Sequence, residues 1–211
     1  YLQAANALTN LGYYVIRMGS VVKKPLQTKN PMIIDYATNG FRSELLDIYL
    51  SANCYFFMGV LGGIASIPSI FRKPMAYIDF YNIQRLYSWD FYGIAINKKI
   101  WSNKKNRLLT YYEMLDLDQS DLGFNRTVQE LCKKNEIKLI DNTPEEICAL
   151  AMEMEKRVKG FWKESEKAKK LQEQFQELYR RFGYLDNDVS LSRVRLGSEF
   201  IMQNCGLINQ T

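Results

Sequence analysis

The sequence predicts a doubly wound α/β fold built on a parallel sheet, with helices gathered at its C-terminal end. Three observations predict it. Short, almost wholly apolar runs such as Tyr13–Met18 and Cys54–Val60 recur through the first part of the chain, and strands apolar on both faces belong to sheets covered on both sides. Between them lie stretches of helical spacing, the crossovers that parallel strands require. From Thr143 onward apolar residues recur at intervals of three and four, the mark of amphipathic helices.

Each element follows in order. Residues 1–11, YLQAANALTNL, read as a helix closed by Gly12. Tyr13–Met18 is a first strand, and Gly19 to Pro31, polar with two prolines, is a loop. Met32–Asp35 is a second strand. Ser43 to Asn53 is a helix with Ser43 as its N-cap and apolar Leu45, Leu46, Ile48, Tyr49 and Ala52. Cys54–Val60 is a third strand, Gly62 to Phe71 a short helix and Pro74–Phe80 a fourth strand. Residues 81–125, aromatic and basic, are expected to be irregular apart from a short helix near Tyr111–Leu115. Thr127 to Asn135 reads as helix and Ile137–Ile140 as a last strand. Thr143-Pro144-Glu145-Glu146 is a helix start, with a threonine cap, a proline in the first turn and two carboxylates at the positive dipole end. A stripe then runs from Ile147 through Leu150, Met154, Val158, Phe161, Ala168, Leu171, Phe175 and Leu178 to Phe182, with Gly160 placed to break or kink it. Val189 to Cys205 reads as a final helix. Residues 1–145 thus form a sheet domain and 146–211 a helical segment packed on it, the final helix lying close to the stripe.

Composition narrows the function. The 211 residues suffice for one sizeable domain. Fourteen tyrosines suggest a large core or a ring-stacking surface. The net charge of +5 suits an anionic ligand or a membrane surface without compelling either. Lysines and arginines are scattered, apart from the run Lys98, Lys99, Lys104, Lys105 and Arg107, so nucleic acid is not an expected partner. Cys54, Cys132, Cys148 and Cys205 lie far apart without metal-ligand spacing and read as buried free thiols. No histidine is present, which removes Ser-His-Asp and Cys-His nucleophiles and histidine-ligated zinc. No run reaches the roughly 18–20 apolar residues of a membrane span, and no signal peptide is visible. The chain opens inside a helix and reads as a fragment.

Four motifs carry candidate chemistry. Arg17-Met18-Gly19 follows the first strand, and the C-terminal ends of parallel strands are where such sheets bind ligands. Arginine can offer phosphate two parallel hydrogen bonds, and glycine lets the backbone turn; the plain alternative is a surface arginine beside a turn. Asp35-Tyr36 follows the second strand. The carboxylate could accept from a ribose hydroxyl or a base N–H and Tyr36 could stack on a ring, or Asp35 could simply cap a turn. Gly59-Val60-Leu61-Gly62-Gly63-Ile64-Ala65-Ser66 joins the third strand to a helix. Gly62, Gly63 and Ser66 could expose N–H groups to a diphosphate, or the glycines could serve tight packing. Glu44 and Asp47 share a helix face and read most simply as solvated charges.

The runs GYYVIRMGSVVKKPL and MIIDYATNGFRSELLDIYLSANCYFFMGVLGGIASIPSIFRKPMAYIDF resemble a bacterial family of glycosyltransferases of the GT-B type, found with surface-polysaccharide genes. The likeness extends more loosely through WSNKKNRLLTYYEML, NTPEEICALAMEM and RLGSEFIMQN. It implies a Rossmann-like C-terminal domain that binds a nucleotide-diphosphate sugar and transfers the sugar to a glycan or lipid-linked acceptor. Arg17 and Gly19 would lie near the donor phosphates, Asp35 and Tyr36 beside the nucleoside, and Gly62, Gly63 and Ser66 around the diphosphate, with Arg72 or Lys73 nearby. It also implies that a first strand and an N-terminal domain precede Tyr1, that the catalytic base comes from that domain, and that this half alone is inactive. A GT-B site commonly needs no metal, and no cofactor beyond the donor is expected. The implied location is cytoplasmic, with peripheral attachment at the inner membrane allowed. Loss of an N-terminal domain should leave an apolar face exposed within residues 161–205. The rival readings are a nucleotide-binding or assembly module without chemistry, and a membrane-associated scaffold using Lys98–Arg107.

Overall fold

A computed structural model describes residues 1–83, 93–117, 128–182 and 195–208. Parallel pairing organises its first half. Strand β1 (Val15–Ile16), after helix α1 (Leu2–Asn10), pairs in parallel with β2 (Ile33–Ile34). Helix α2 (Glu44–Asn53) leads to β3 (Phe57–Gly59), and a 3₁₀ turn with helix α3 (Ser66–Ile70) leads to β4 (Met75–Phe80). Strands β3 and β4 are parallel, and β5 (Gly93–Asn97) joins β4 in parallel. The four expected strands exist and are shorter than expected. Hydrogen bonding divides them between two sheets, β1–β2 and β3–β4–β5.

The second half contains a different sheet. Strands β6 (Lys99–Ser102), β7 (Arg107–Leu108) and β8 (Ile137–Ile140) pair antiparallel in the order β7-β6-β8. The expectation of irregular structure over 81–125 is therefore corrected at β5, β6 and β7. Helix α4 (Tyr111–Asp116) is where the short helix was expected, and α5 (Val128–Lys134) precedes β8. The capping box of Thr143 and Glu146 opens α6 (Pro144–Val158). Gly160, at φ +76, ends that helix, and Ser165 caps a separate helix α7 (Glu166–Arg181). The final helix α8 is Ser198–Gln203, shorter than expected; residues 189–194 of that expectation lie outside the described residues.

Both faces of the β3–β4–β5 sheet are covered, as its apolar strands require. Along β4, Met75 and Tyr77 enter one core, with Tyr111, Phe175, Leu178 and Ile201. Ala76 and Ile78 enter the other, with Ala4, Leu150, Met154 and Phe200. The alternation is the period of two that places successive side chains on opposite faces. Helix α6 packs on α1, β4 and β5, and α8 on both α6 and α7, so the last helix does lie against the stripe. Within 161–205 the large apolar side chain left exposed among the described residues is Phe161. The other exposed large apolar side chains lie elsewhere, four of them on α2 at Leu45, Leu46, Ile48 and Tyr49. The cysteines are free and half-buried rather than buried. Among the described residues no helix is long and apolar enough to cross a membrane.

Candidate functional site

Parallel pairing of β1 with β2 brings the first two motifs to one edge. Arg17 Nη1 donates to Asp35 Oδ2 at 3.3 Å and to the Lys24 carbonyl at 2.9 Å. Asp35 Oδ2 also accepts from the Leu26 N–H at 2.8 Å and from Thr38 Oγ1 at 2.6 Å. Burial pushes the Asp35 carboxyl up, but the Thr38 and Leu26 hydrogen bonds and the Arg17 charge outweigh it and hold the carboxyl below its ordinary value. Its other oxygen, Oδ1, is buried and has no hydrogen-bond partner among the described residues. Arg17 keeps Nε and Nη2 free of hydrogen bonds among the same residues, and 24% of its side chain is exposed. Gly19, two residues on, adopts φ +150, and a Cβ there would come within 3.2 Å of Val22. The glycine is thus required by the turn that carries the loop back over Arg17.

Tyr36 does not offer a stacking face. It is only 4% exposed, and its hydroxyl accepts from the Ser43 N–H at 3.0 Å and donates to the Ser43 carbonyl at 3.2 Å. It therefore anchors the start of α2, whose N-cap Ser43 accepts from Leu46 N–H. The expectation that Tyr36 stacks on a nucleoside is corrected on this ground.

The glycine motif divides in two. Gly59 is buried, and a Cβ there would meet the Phe57 ring at 3.2 Å. Gly62 and Gly63 are exposed with open space where a side chain would go, so packing does not explain them. Ser66, also exposed, begins a helix of five residues. Among the described residues no hydrogen bond or ion pair joins Arg17 to this segment. Asp47 binds Arg42 Nη2 at 2.7 Å, while Glu44 is exposed without an ion-pair partner among the described residues. Arg72, exposed after α3, adopts φ +55.

Sequence reasoning missed a polar network at the C-terminal ends of β4 and β5. Asp79 sits at φ +53 where the β4–β5 register shifts. Its N–H donates to Asn142 Oδ1 at 2.8 Å and its carboxylate accepts from Asn142 N–H at 2.7 Å. Asn142 Nδ2 donates to the Asn97 carbonyl, and the Tyr111 hydroxyl to Asn97 Oδ1 at 2.8 Å. Lys98 lies between Asp79 and Asp141. The signal available was a carboxylate inside the predicted strand PMAYIDF. The run Lys98–Arg107 is largely neutralised within the fold. Lys99 pairs with Glu146 at 2.7 Å, and Lys105 and Arg107 both pair with Glu113. That leaves the membrane-scaffold reading little free charge in this run. No family model, curated protein or solved structure matches the chain.

Proposed function

We propose that this chain is the donor-binding half of a glycosyltransferase, holding a nucleotide-diphosphate sugar for transfer to a glycan or lipid-linked acceptor in surface-polysaccharide synthesis. The observation that carries the reading is the half-occupied Arg17 guanidinium, 24% exposed and held by Asp35 at the end of a parallel strand pair. Asp35 orients the guanidinium through its own hydrogen bonds to Leu26 and Thr38. Arg17 Nε and Nη2 form the free edge of a planar fork suited to phosphate oxygens. Developing charge on the leaving diphosphate would be stabilised there and at the open N–H groups of Gly62 and Gly63.

Calorimetry with UDP- and GDP-sugars tests the reading. Arg17→Ala is expected to weaken donor binding by roughly 1.5–3 kcal/mol, as for other hydrogen bonds to charged groups. Arg17→Lys should recover part of that loss, since lysine keeps charge without the fork. Equal affinity in the parent and Arg17→Ala would end the phosphate assignment. Donor binding without sugar transfer by the full-length protein would instead favour a nucleotide-binding module without chemistry.

A further inference from the structure

Strands β1 and β3 each keep one edge open. In β1, Val15 N–H donates to the Met32 carbonyl and Arg17 N–H to the Ile34 carbonyl, so both residues face β2. Ile16 stands between them and turns its N–H and carbonyl to the other edge. In β3, Phe57 and Gly59 pair with β4, and Phe57 N–H donates to the Pro74 carbonyl, so Met58 turns its backbone groups away from β4. Among the described residues nothing on these two edges hydrogen-bonds to Ile16 or Met58. Both residues are half-buried, and half-buried backbone groups call for partners. The two strands also border the same core, with Tyr13, Val15, Phe56 and Met58 packed against it. The rings of Tyr13 and Tyr55, just before β1 and β3, lie 5.5 Å apart, so the strands start at the same end and run the same way.

We infer that β1–β2 and β3–β4–β5 are two parts of one parallel sheet, joined by a strand of the segment that leads into α1, which lies between β1 and β3 and pairs with both. Handedness selects this occupant. The connection from β3 to β4 covers one face, where Ala65 shares a core with Tyr77 and Tyr111. Helix α1 covers the opposite face, where Ala4 and Leu8 join Ala76 and Ile78. Parallel crossovers are right-handed, so crossovers on opposite faces step in opposite directions. The step from β3 to β4 runs toward β5, whose far edge is flanked by Leu196. The step through α1 into β1 therefore runs the other way, from a strand on the β3 side of β1, because β2 holds the far side. Helix α1 starts at the end this requires: the charges of Asp79, late in β4, and Asp141 act on the Tyr1 hydroxyl, and a strand parallel to β4 delivers the chain there. The strand ends between Arg17 and the Gly62–Gly63 turn, which no hydrogen bond joins among the described residues. That is the reversal of strand order at which α/β sheets bind ligands.

Amide exchange and NOE measurements on the isotope-labelled full-length protein test this, whatever ligand the site takes. The amides of Ile16 and Met58 are expected to exchange at least about a hundredfold more slowly there than in a chain that starts at Tyr1. Each should also show interstrand NOEs to one and the same segment preceding Tyr1. The NOEs alone decide the matter if the shorter chain fails to fold. Fast exchange of both amides in the full-length protein, with Val15 and Phe57 still protected, overturns the inference. So do NOEs that join Ile16 directly to Met58, or that lead from either amide to a segment within residues 1–211. Protection in the chain starting at Tyr1 that grows with protein concentration would overturn it too, and would assign the edges to a second copy.

Discussion

Glu113 shows how much one side chain can organise. It accepts from Arg107 twice, at 2.7 and 2.8 Å, from Lys105 Nζ at 2.5 Å and from the Thr110 N–H at 2.8 Å. The Arg107 guanidinium above all, then Lys105 and the Thr110 N–H, hold its carboxyl far below the ordinary carboxylate value against the opposing effect of burial. A depressed carboxyl contributes stability that is complete above its unfolded pKa and is lost as pH falls through the folded one. Glu113→Gln should therefore lower Tm at neutral pH, and the gap from the parent should shrink as pH drops below about 4. Thermal melts across pH read this directly; a gap that is constant with pH would show that the carboxylate charge is not what matters. Gly197 is limited by space rather than backbone angle. A Cβ there would come within 2.9 Å of Leu150 and 3.2 Å of Ile96, both in the core. Gly197→Ala is expected to cost roughly 1–3 kcal/mol in urea unfolding. Residue-scale legibility was uneven. Arg17 and Asp35 were identified from their places after strands, but their mutual ion pair depends on the β1–β2 pairing and on the return of the loop through Lys24 and Leu26. The burial of Tyr36 depends on where α2 begins relative to β2, which local sequence does not specify.

At the scale of elements, helix boundaries were read best where a cap marked them. Thr143 and Glu146 form the predicted start of α6, and Ser43 caps α2. Removing the Thr143 hydroxyl by Thr143→Ala should cost about 1 kcal/mol, the usual worth of an N-cap, seen as a lower urea midpoint with an unchanged slope; no change would mean that Pro144 and Glu146 alone define the start. Strands without such punctuation were missed. Strand β5, GIAIN, has an apolar run of its own, but it follows the aromatic and polar segment YNIQRLYSWDFY, whose composition suggests a loop. Strands β6 and β7 are linked by a turn in which Asn106 adopts φ +50, a conformation asparagine tolerates, and the surrounding lysines masked the hairpin. Those lysines serve the sheet: Lys99 projects from β6 to the buried Glu146 of α6. Helix α2 was read as a helix from its spacing, but periodicity locates an apolar stripe without saying what covers it, and here Leu45, Ile48 and Tyr49 stay exposed.

At the scale of the whole molecule, the C-terminal segment closes the main sheet. Leu196 bridges Ala95 in parallel, with Ala95 N–H donating to the Arg195 carbonyl and Gly197 N–H to the Ala95 carbonyl. Gln172 holds the Leu196 backbone from both its amide atoms, and buried Glu153 accepts from the N–H and hydroxyl of Ser198. Arg157 pairs with the same carboxylate at 2.7 Å. Glu153→Ala strands these donors, and it should cost about 3 kcal/mol or more. Proteolysis of the parent and the variant, followed by mass spectrometry, should find the variant cut first near Arg195; equal protection would mean that Gln172 alone secures the segment.

That closure has a consequence for synthesis. Ala95 leaves the ribosome about a hundred residues before its partner Leu196, and at about 5–20 residues per second that is a wait of roughly 5–20 seconds. Throughout it, the outer edge of β5 lacks the segment that will flank it, and Glu153, once made, awaits Ser198. An unpaired strand edge is an open template for another chain. The nascent protein is thus exposed to misassembly between the synthesis of β5 and that of the segment around Leu196, and a chaperone that shields β5 until α8 emerges would raise the yield of folded protein more than one that acts on α1.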